Sequence, residues 1–265
     1  MDTAKPFAVV TGASSGIGYE LARQFAEHGY DLLITSGGPA IEEAAHSLAQ
    51  LGAQIQTVQA NLATYDGVEA LYGRIIEIAR PIDAIAINAG VGVGGDFTRQ
   101  TSLQDEIEMI NLNVVSTVHL AKRVLPDMVQ RGSGRVLFTS SIAALMPGAF
   151  EAVYAASKAF IQSFAEAIRN ELKDTGVTIT ALQPGPTDTN FFSRAEMDDT
   201  RAATGHKDDP ADVARQGFEA LMAGKDHVIA GSLKTKAMGA VSRVLPETVN
   251  AEQHRKLAEP GSGDK

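Results

Sequence analysis

The stretch TGASSGIG, residues 11–18, stands between a short apolar run at 7–10 and a helical pattern at 17–28. A glycine-rich turn that follows a strand and opens a helix can hold a pyrophosphate, because the first helical amides and the helix dipole attract anions. Gly12 allows the sharp turn, Gly16 lets the backbone approach the phosphates, and Gly18 lets helix and strand pack closely. The spacing GxxxGxG differs from the general GxGxxG pattern. We predict a dinucleotide site here, with an ordinary strand-to-helix turn as the alternative.

Short apolar runs alternate with longer amphipathic patterns along most of the chain, which is typical of βαβ units on a parallel sheet. The predicted strands are 7–10, 31–35, 55–59, 84–88, 134–139 and 177–183, with 227–230 as a possible seventh. The predicted helices are 17–28, 41–51, 65–80, 103–131, 152–175 and 210–223. The expected fold class is α/β: a single Rossmann-type doubly wound parallel sheet of about seven strands, with helices on both faces.

The chain divides into one large unit and a short extension. Residues 1–231 are expected to form the dinucleotide-binding and catalytic domain, and 232–265 a C-terminal extension that is partly helical with a disordered end at 260–265. The polar segment 190–209 lacks periodicity and follows the sixth predicted strand. A connection of about 20 residues without regular structure is commonly functional, so we predict a lid there.

Composition excludes several classes of protein. The 265 residues include no cysteine, so disulfides, a cysteine nucleophile and thiolate metal sites are excluded. The six histidines are at least 18 positions apart, and we predict no metal site. The net charge of −9 argues against binding to nucleic acid or anionic lipid. No apolar stretch reaches the roughly 18 residues that a membrane span needs, and we expect a cytoplasmic protein.

Two further strand ends carry polar or small residues, where open α/β sheets bind their ligands. Asn61 follows the third predicted strand and can contact an adenine edge, while NAG at 88–90 ends the fourth. The second strand ends in Ser36-Gly37-Gly38, which contains neither the carboxylate that holds a ribose 2′-hydroxyl nor an arginine for a 2′-phosphate. Without a carboxylate a phosphate is not repelled, and the Ser36 hydroxyl with the amides of Gly37 and Gly38 can form a small anion-binding nest. Both features favour NADP(H), and NAD(H) is the alternative.

Tyr154 and Lys158 are four positions apart on a predicted helix, so they project from the same face. Lowering the pKa of a tyrosine from about 10 to about 7 takes roughly 4 kcal/mol. One ammonium about 4 Å away supplies about that energy at an effective dielectric of 20. Ser141, at the end of the fifth strand, can bring a hydroxyl beside the tyrosine, and Asn113 lies in the helix 103–131.

These features together resemble the short-chain dehydrogenase/reductase family over roughly residues 5–230. The motifs occur in family order: TGxxxGxG at 11–18, NAG at 88–90, Ser141, YxxxK at 154–158 and PGxxxT at 184–189. The resemblance implies that Tyr154 is the general acid/base and Ser141 orients the substrate carbonyl. It implies that Lys158 holds the nicotinamide ribose and lowers the tyrosine pKa, while Asn113 keeps a water in a proton relay.

The resemblance also implies the set of residues that contact the cofactor. Asn61 stands where the family usually has aspartate, and Ser15 where members that prefer NADP often have a basic residue. Asn111 lies close to Asn113, and the spacing to Tyr154 favours Asn113. The expected cofactor-binding residues are Thr11, Gly12, Ser14, Ser15, Gly16, Ile17, Gly18, Ser36, Gly37, Asn61, Leu62, Asn88, Ala89, Gly90, Tyr154, Lys158, Pro184, Gly185, Thr187 and Thr189.

The expected activity is hydride transfer between NADP(H) or NAD(H) and a small-molecule carbonyl or secondary alcohol. A hydrophobic substrate is suggested by apolar residues near the motifs, although several could be core: Val91, Ile142, Leu145, Met146, Phe150, Phe191 and Phe192. One alternative is a non-catalytic nucleotide-sensing or interaction protein, and another is an epimerase or dehydratase. The resemblance further implies a homodimer or homotetramer that packs through the predicted helices 103–131 and 152–175.

Overall fold

A computed structural model of the chain describes residues 5–263, and within this range one parallel sheet has seven strands. The strands are β1 (Phe7–Thr11), β2 (Asp31–Ser36), β3 (Ile55–Gln59), β4 (Ala84–Ile87), β5 (Gly134–Thr139), β6 (Val177–Pro184) and β7 (His227–Ala230). Their order is β3-β2-β1-β4-β5-β6-β7. The order reverses between β1 and β4, and open α/β sheets bind ligands at this point. The predicted fold class is confirmed.

Helices connect the strands and cover both faces of the sheet. The described helices are α1 (Gly16–Glu27), α2 (Ala40–Ala49), α3 (Tyr65–Ile78), α4 (Leu103–Ile110), α5 (Ser116–Arg131), α6 (Ala152–Glu171), α7 (Phe191–Arg194), α8 (Arg201–Thr204), α9 (Pro210–Met222), α10 (Leu233–Ser242) and α11 (Glu247–Ala258). No helix within residues 5–263 is both long and apolar enough to cross a bilayer.

Two apolar layers hold the helices against the sheet. Alternate strand residues point to opposite faces, so Val9 and Leu33 belong to one layer and Val10 and Ile34 to the other. The first layer packs against α3, α5 and α6, and the second against α1, α2 and α9. Helices cover both faces of the sheet, which explains why the strands are continuous apolar runs in the sequence.

The predicted helix 103–131 is interrupted. Residues Asn111–Val115 form a π-helical turn between α4 and α5, where the Ser116 amide donates to the Asn111 carbonyl. The hydroxyl of Thr117 donates to the Asn113 carbonyl at 2.8 Å, and that of Ser116 donates to the Leu112 carbonyl. These side-chain hydrogen bonds satisfy carbonyls that a regular helix would pair with backbone amides. Hydrophobic periodicity carries no signal for such a turn.

The segment after β6 and the end of the chain pack together. In the predicted lid, 190–209, the short helices α7 and α8 lie against α11 in an apolar cluster that includes Phe192, Met197 and Ala258. The predicted disorder of 260–265 is wrong for residues 260–263, because Gly261 and Gly263 donate to Asp199 at 2.7 and 2.8 Å. Residues 264 and 265 lie outside the described residues.

Candidate active site

The glycine turn brings backbone close to the neighbouring strand end. Gly12 and Gly16 have positive φ angles of +69° and +56°, which side chains rarely adopt. A Cβ on Gly12 would lie 2.9 Å from the Ala89 Cα, and one on Gly18 would overlap the Gly12 carbonyl oxygen. The turn therefore leaves an open cradle at the N-terminus of α1 that fits a dinucleotide pyrophosphate.

Asn88 joins three strand ends. Its side-chain amide donates to the Thr11 carbonyl at 3.1 Å, and its oxygen accepts from the Thr139 hydroxyl at 2.9 Å. The Thr11 hydroxyl accepts from the amides of Asn88 and Ala89, both at 2.9 Å. Thr11 is fully buried and does not line the cavity, and its hydroxyl supports the turn from beneath. A contact between Thr11 and a cofactor stays a prediction.

A cavity of about 610 Å³ runs from this turn to the lid. Such a volume is typical of cofactor and substrate sites. All predicted cofactor residues except Thr11 line it, together with Ser141. Gly38 of the predicted anion nest lines it as well. Pro39 and Ala60 also line it, and sequence reasoning missed these two because they carry no motif. The structure thus brings together residues from the ends of most strands.

The end of the cavity beside β2 has no carboxylate or cation among its lining residues. The Ser36 hydroxyl donates to the Gly38 carbonyl at 3.1 Å, and both Gly37 and Gly38 have open space in the direction of a Cβ. Asn61 accepts from the Ala63 amide at 3.0 Å, which leaves its side-chain NH₂ available to a ligand. A 2′-phosphate would meet neutral hydroxyls and amides here, without electrostatic repulsion.

Asn113 lies behind the cavity and is buried. Its side-chain oxygen accepts from the Val91 amide at 3.0 Å, and its NH₂ donates to the Val91 carbonyl at 2.9 Å. The NH₂ also donates to the Ser157 hydroxyl at 3.0 Å. The π-helical turn thus lets Asn113 connect the loop after β4 to α6, a positioning role that the sequence did not indicate.

Ser141, Tyr154 and Lys158 meet at one end of the cavity. The Ser141 hydroxyl donates to the Pro184 carbonyl at 3.5 Å, and it is near enough to the Tyr154 phenol to affect the pKa of that group. The Lys158 Nζ donates to the Thr139 carbonyl at 3.0 Å and lies 5.7 Å from the centre of the Tyr154 ring. The Ser141 hydroxyl also accepts from the Ala143 amide at 3.1 Å, because Ser141 caps the short helical turn Ile142–Leu145.

The protonation of this group differs from the sequence prediction. Burial raises the pKa of Tyr154 above its usual value, and the charge of Glu151 raises it further, whereas the nearby Ser141 hydroxyl lowers it. Burial also lowers the pKa of Lys158 to about 8. The expected lowering of the tyrosine pKa by Lys158 is wrong for this structure, because the ammonium bonds to Thr139 and the phenol is desolvated.

The remaining wall is mostly apolar. Of the predicted pocket residues, five line the cavity: Val91, Ile142, Met146, Phe191 and Phe192. Leu145 and Phe150 do not, and Phe150 packs into the cluster of lid and α11 instead. Sequence reasoning missed Glu151, Arg194, Met238, His254 and Leu257. Three of these come from α10 and α11, and no local pattern shows that the extension folds back over the site.

The lid rests directly on Tyr154. The rings of Phe191 and Tyr154 have centroids 5.2 Å apart, and a Cβ on Gly92 would overlap the Phe191 ring. The Gly94 amide donates to the Ala195 carbonyl at 3.0 Å, which ties the lid to the loop after β4. The segment therefore covers Tyr154 and separates it from bulk water, which strengthens electrostatic interactions inside the cavity.

Comparisons with known proteins agree with this geometry. A family model described as short chain dehydrogenase matches residues 6–200. Oxidoreductase UcpA of Salmonella typhimurium is 33% identical over 217 residues, 81% of this chain and 79% of that protein. The NADP-dependent 3-hydroxy acid dehydrogenase YdfG of Salmonella typhi is 32% identical over 196 residues, 73% of this chain and 78% of that protein.

A solved structure gives the same result for the fold. A short-chain dehydrogenase from Sphingobium yanoikuyae in complex with NADPH has a TM-score of 0.79 and 28% identity, over 84% of this chain and 87% of that one. The family match spans the sheet from β1 through β6 and includes the glycine turn, Ser141, Tyr154 and Lys158. The chain belongs to the short-chain dehydrogenase family of oxidoreductases.

Proposed function

We propose that the protein catalyses the reversible reduction of a hydrophobic ketone to a secondary alcohol with NADP(H). The observation that carries this proposal is that Ser141, Tyr154 and Lys158 line the same cavity as the glycine turn. Two relatives support the choice of cofactor, since one is named NADP-dependent and the other is in complex with NADPH. The uncharged lining near Ser36 is compatible with a 2′-phosphate.

In this reaction the side chains of the protein transfer the proton. Bound NADPH would supply the hydride for the carbonyl carbon, and NADP⁺ would accept it in the reverse direction. Ser141 donates a hydrogen bond that orients the carbonyl oxygen, and the Tyr154 O–H gives that oxygen its proton. The raised pKa of Tyr154 keeps the phenol protonated at rest, which is the state that reduction needs. Solvent returns the proton to the Tyr154 phenolate, and Lys158, which also lines the cavity, is placed to hold the nicotinamide ribose.

The apolar wall supports a hydrophobic substrate. Ile142, Met146, Phe191, Phe192 and Leu257 line the cavity around the hydroxyls of Ser141 and Tyr154. Fully burying one such side chain or an equivalent substrate group is worth about 1.5–3 kcal/mol. We therefore expect cyclic or aromatic ketones to be reduced more efficiently than short polar ones.

A carboxylate-bearing substrate is the second candidate. The relative YdfG is named for 3-hydroxy acids, and the exposed Arg194 lines the mouth of the cavity, where it would attract an anion. Truncation of Arg194 to alanine separates the candidates, because only turnover of an acid depends on its charge. A nucleotide-sensing protein is disfavoured by the filled catalytic positions Ser141, Tyr154 and Lys158.

Initial rates measured by absorbance of the reduced nicotinamide test the proposal. Wild-type protein is mixed with 1-tetralone, cyclohexanone or 3-oxobutanoate, and with NADPH or NADH. We expect the largest kcat/KM with 1-tetralone and NADPH. A preference for NADH contradicts the proposed cofactor, and a preference for 3-oxobutanoate contradicts the proposed substrate class. Tight NADPH binding without turnover of any carbonyl would instead support the sensing protein.

A further inference from the structure

Glu151 and His254 form a buried pair in the wall of the cavity. Glu151 precedes α6 and lies three residues before Tyr154, whereas His254 lies on α11 in the C-terminal extension. The His254 Nε2 is 3.3 Å from a Glu151 carboxyl oxygen, and the two side chains are only 7% and 8% exposed. Both residues line the same cavity as Tyr154. The proposed proton chemistry uses neither of them.

The contacts of His254 show which atoms of the pair carry protons. The His254 Nδ1 is 2.9 Å from the Ala149 carbonyl, which can only accept, so Nδ1 carries a proton. Burial raises the pKa of Glu151 to about 8 and lowers that of His254. Both shifts favour a protonated carboxyl that donates to a neutral Nε2. The pair then has no net charge, and its second carboxyl oxygen can still accept a hydrogen bond.

That second oxygen is available to a ligand. Within residues 5–263, the structure gives the carboxyl group of Glu151 no polar contact other than the one with His254. The neighbouring wall is apolar, with Met146, Phe192 and Leu257. A carboxyl oxygen in the wall of a cavity can accept a hydrogen bond from a ligand there, and a substrate hydroxyl would supply it.

Anchoring of α11 does not by itself account for the pair. The helix is already held by Asn250, whose side-chain amide donates to the Ser242 carbonyl at 2.8 Å, and by Ala258 in the apolar cluster of the lid. Neither Asn250 nor Ala258 lines the cavity. An apolar residue at 254 would serve anchoring equally well, without the cost of burying two ionisable groups.

We propose that Glu151, held by His254, is a second recognition point that accepts a hydrogen bond from a substrate hydroxyl remote from the reacting carbonyl. The substrate class is then a hydroxyketone with an apolar frame, or the diol that its reduction yields. Glu151 and Tyr154 are about one helical turn apart, so one small molecule can contact both. This inference rests on the proposed reduction of a ketone at one end of the substrate. It adds that the protein recognises a hydroxyl at the other end of the substrate.

Matched ligand pairs test the inference, each differing only by a hydroxyl or a methyl group. The pairs are 4-hydroxy- and 4-methylcyclohexanone, 6-hydroxy- and 6-methyl-1-tetralone, and 4-(4-hydroxyphenyl)- and 4-(4-methylphenyl)butan-2-one. Titration calorimetry with the NADP⁺-loaded protein gives Kd, and NADPH consumption gives kcat/KM. We expect a preference for the hydroxyl of about tenfold in at least one pair, the size of a good net hydrogen bond.

Three variants separate recognition from a structural role. Glu151→Leu is expected to bring the hydroxyl-to-methyl ratio to about one or below, because the acceptor is lost. Glu151→Gln is expected to keep the preference, since its amide can donate to His254 while its oxygen still accepts. Asn250→Ala, which loosens α11 outside the cavity, is expected to lower stability and leave the ratio unchanged.

The outcomes distinguish this inference from the proposed function. Equal Kd and kcat/KM within all three pairs of the wild type overturn it, even where every ketone is reduced and the proposed function stands. An unchanged preference in Glu151→Leu overturns it as well. A preference for the hydroxyl in binding that is lost in Glu151→Leu supports recognition by Glu151, even where no ketone is reduced. The absence of reduction then counts against the proposed function alone. Absence of binding by all six probes overturns the inference.

Discussion

Among single residues, the glycines of the turn matter because they have no side chain where the cofactor would approach the sheet. Gly18 lies so close to the Gly12 carbonyl that no Cβ fits between them, and the Asn88 amide fills the other side. The sequence indicated this role through the spacing of the glycines between a strand and a helix, together with the motifs at the other strand ends.

Replacement of Gly18 by alanine tests the closeness of this packing. We expect Gly18→Ala to lower the free energy of unfolding by about 1–3 kcal/mol, as overpacking does, and to weaken NADPH binding. The matched control is Gly73→Ala in α3, where a Cβ meets nothing within 4 Å. That change is expected to add about 0.5–1 kcal/mol of stability. Urea unfolding and NADPH titration measure both, and a neutral Gly18→Ala would contradict the account.

Glu151 makes stability depend on pH. Burial raises its pKa to about 8 in the folded protein, from an ordinary value of 4.5 in the unfolded chain. Between these values the folded state holds the extra proton, so the contribution of Glu151 to stability falls as pH rises. His254 on α11 and Tyr154 on α6 are the titratable groups beside it.

The comparison of wild type with Glu151→Gln isolates this contribution, because the glutamine cannot titrate. We expect the stability of wild type relative to the variant to decline steadily from about pH 4.5 to about pH 8. Urea unfolding at unit pH intervals measures the difference. A difference that grows with pH would show that Glu151 is ionised in the folded protein.

The pKa of Tyr154 marks a limit of sequence reasoning at this scale. Spacing alone indicates that Lys158 shares a helix face with Tyr154, but it cannot show that the lysine bonds to Thr139 or how deeply the phenol is buried. Desolvation depends on side chains from distant segments, such as Phe191 in the lid. The direction of the pKa shift therefore requires the tertiary structure.

At the scale of elements, the π-helical turn Asn111–Val115 determines where the loop after β4 lies. Asn113 satisfies both backbone groups of Val91 and donates to Ser157 on α6. Strands and long helices were predictable because their apolar periodicity is local. The π-helical turn was not, because its cause is a set of hydrogen bonds to other elements.

Asn113→Ala is expected to remove this connection. It leaves the amide and the carbonyl of Val91 without their partners, whereas the Ser157 hydroxyl keeps its bond to the Tyr154 carbonyl. We expect a loss of about 2–3 kcal/mol of stability. A shifted loop beside the reacting group should also reduce kcat by about tenfold or more. Asn170→Ala, on the exposed side of α6, is the control and should change neither quantity. Unaltered stability and kcat in Asn113→Ala would contradict the positioning role.

At the scale of the whole molecule, the C-terminal extension and the lid complete a site that the sheet alone leaves open. The tail packs on the lid through Asp199, and α11 contributes His254 and Leu257 to the cavity. Neither contact has a sequence signature, because each joins segments far apart in the chain. The family motifs, by contrast, fall within short windows and were readable.

Assembly is a prediction at the same scale. We propose a homodimer or homotetramer through α4, α5 and α6, because Ile107, Val118 and Phe160 on these helices are exposed, at 44%, 36% and 41%. Light scattering of the wild type should give at least twice the 27.9 kDa of one chain. Phe160→Glu should shift the mass towards that of one chain, whereas Leu233→Glu on α10 should not. A monomeric wild type would contradict the prediction.

A comparison of wild type with Tyr154→Phe in NADPH-dependent reduction of 1-tetralone tests whether Tyr154 is the proton donor. The phenylalanine keeps the ring beside Phe191 and removes only the hydroxyl. Tyr72→Phe on α3 is the matched control, because it removes the same group from a tyrosine that does not line the cavity. We expect kcat/KM to fall by about 10³-fold in Tyr154→Phe alone, within the usual range for general acid catalysis. The Kd for NADPH should stay within about threefold, a change of less than 1 kcal/mol. Turnover in Tyr154→Phe above about a tenth of wild type would contradict the assignment of Tyr154 as the proton donor.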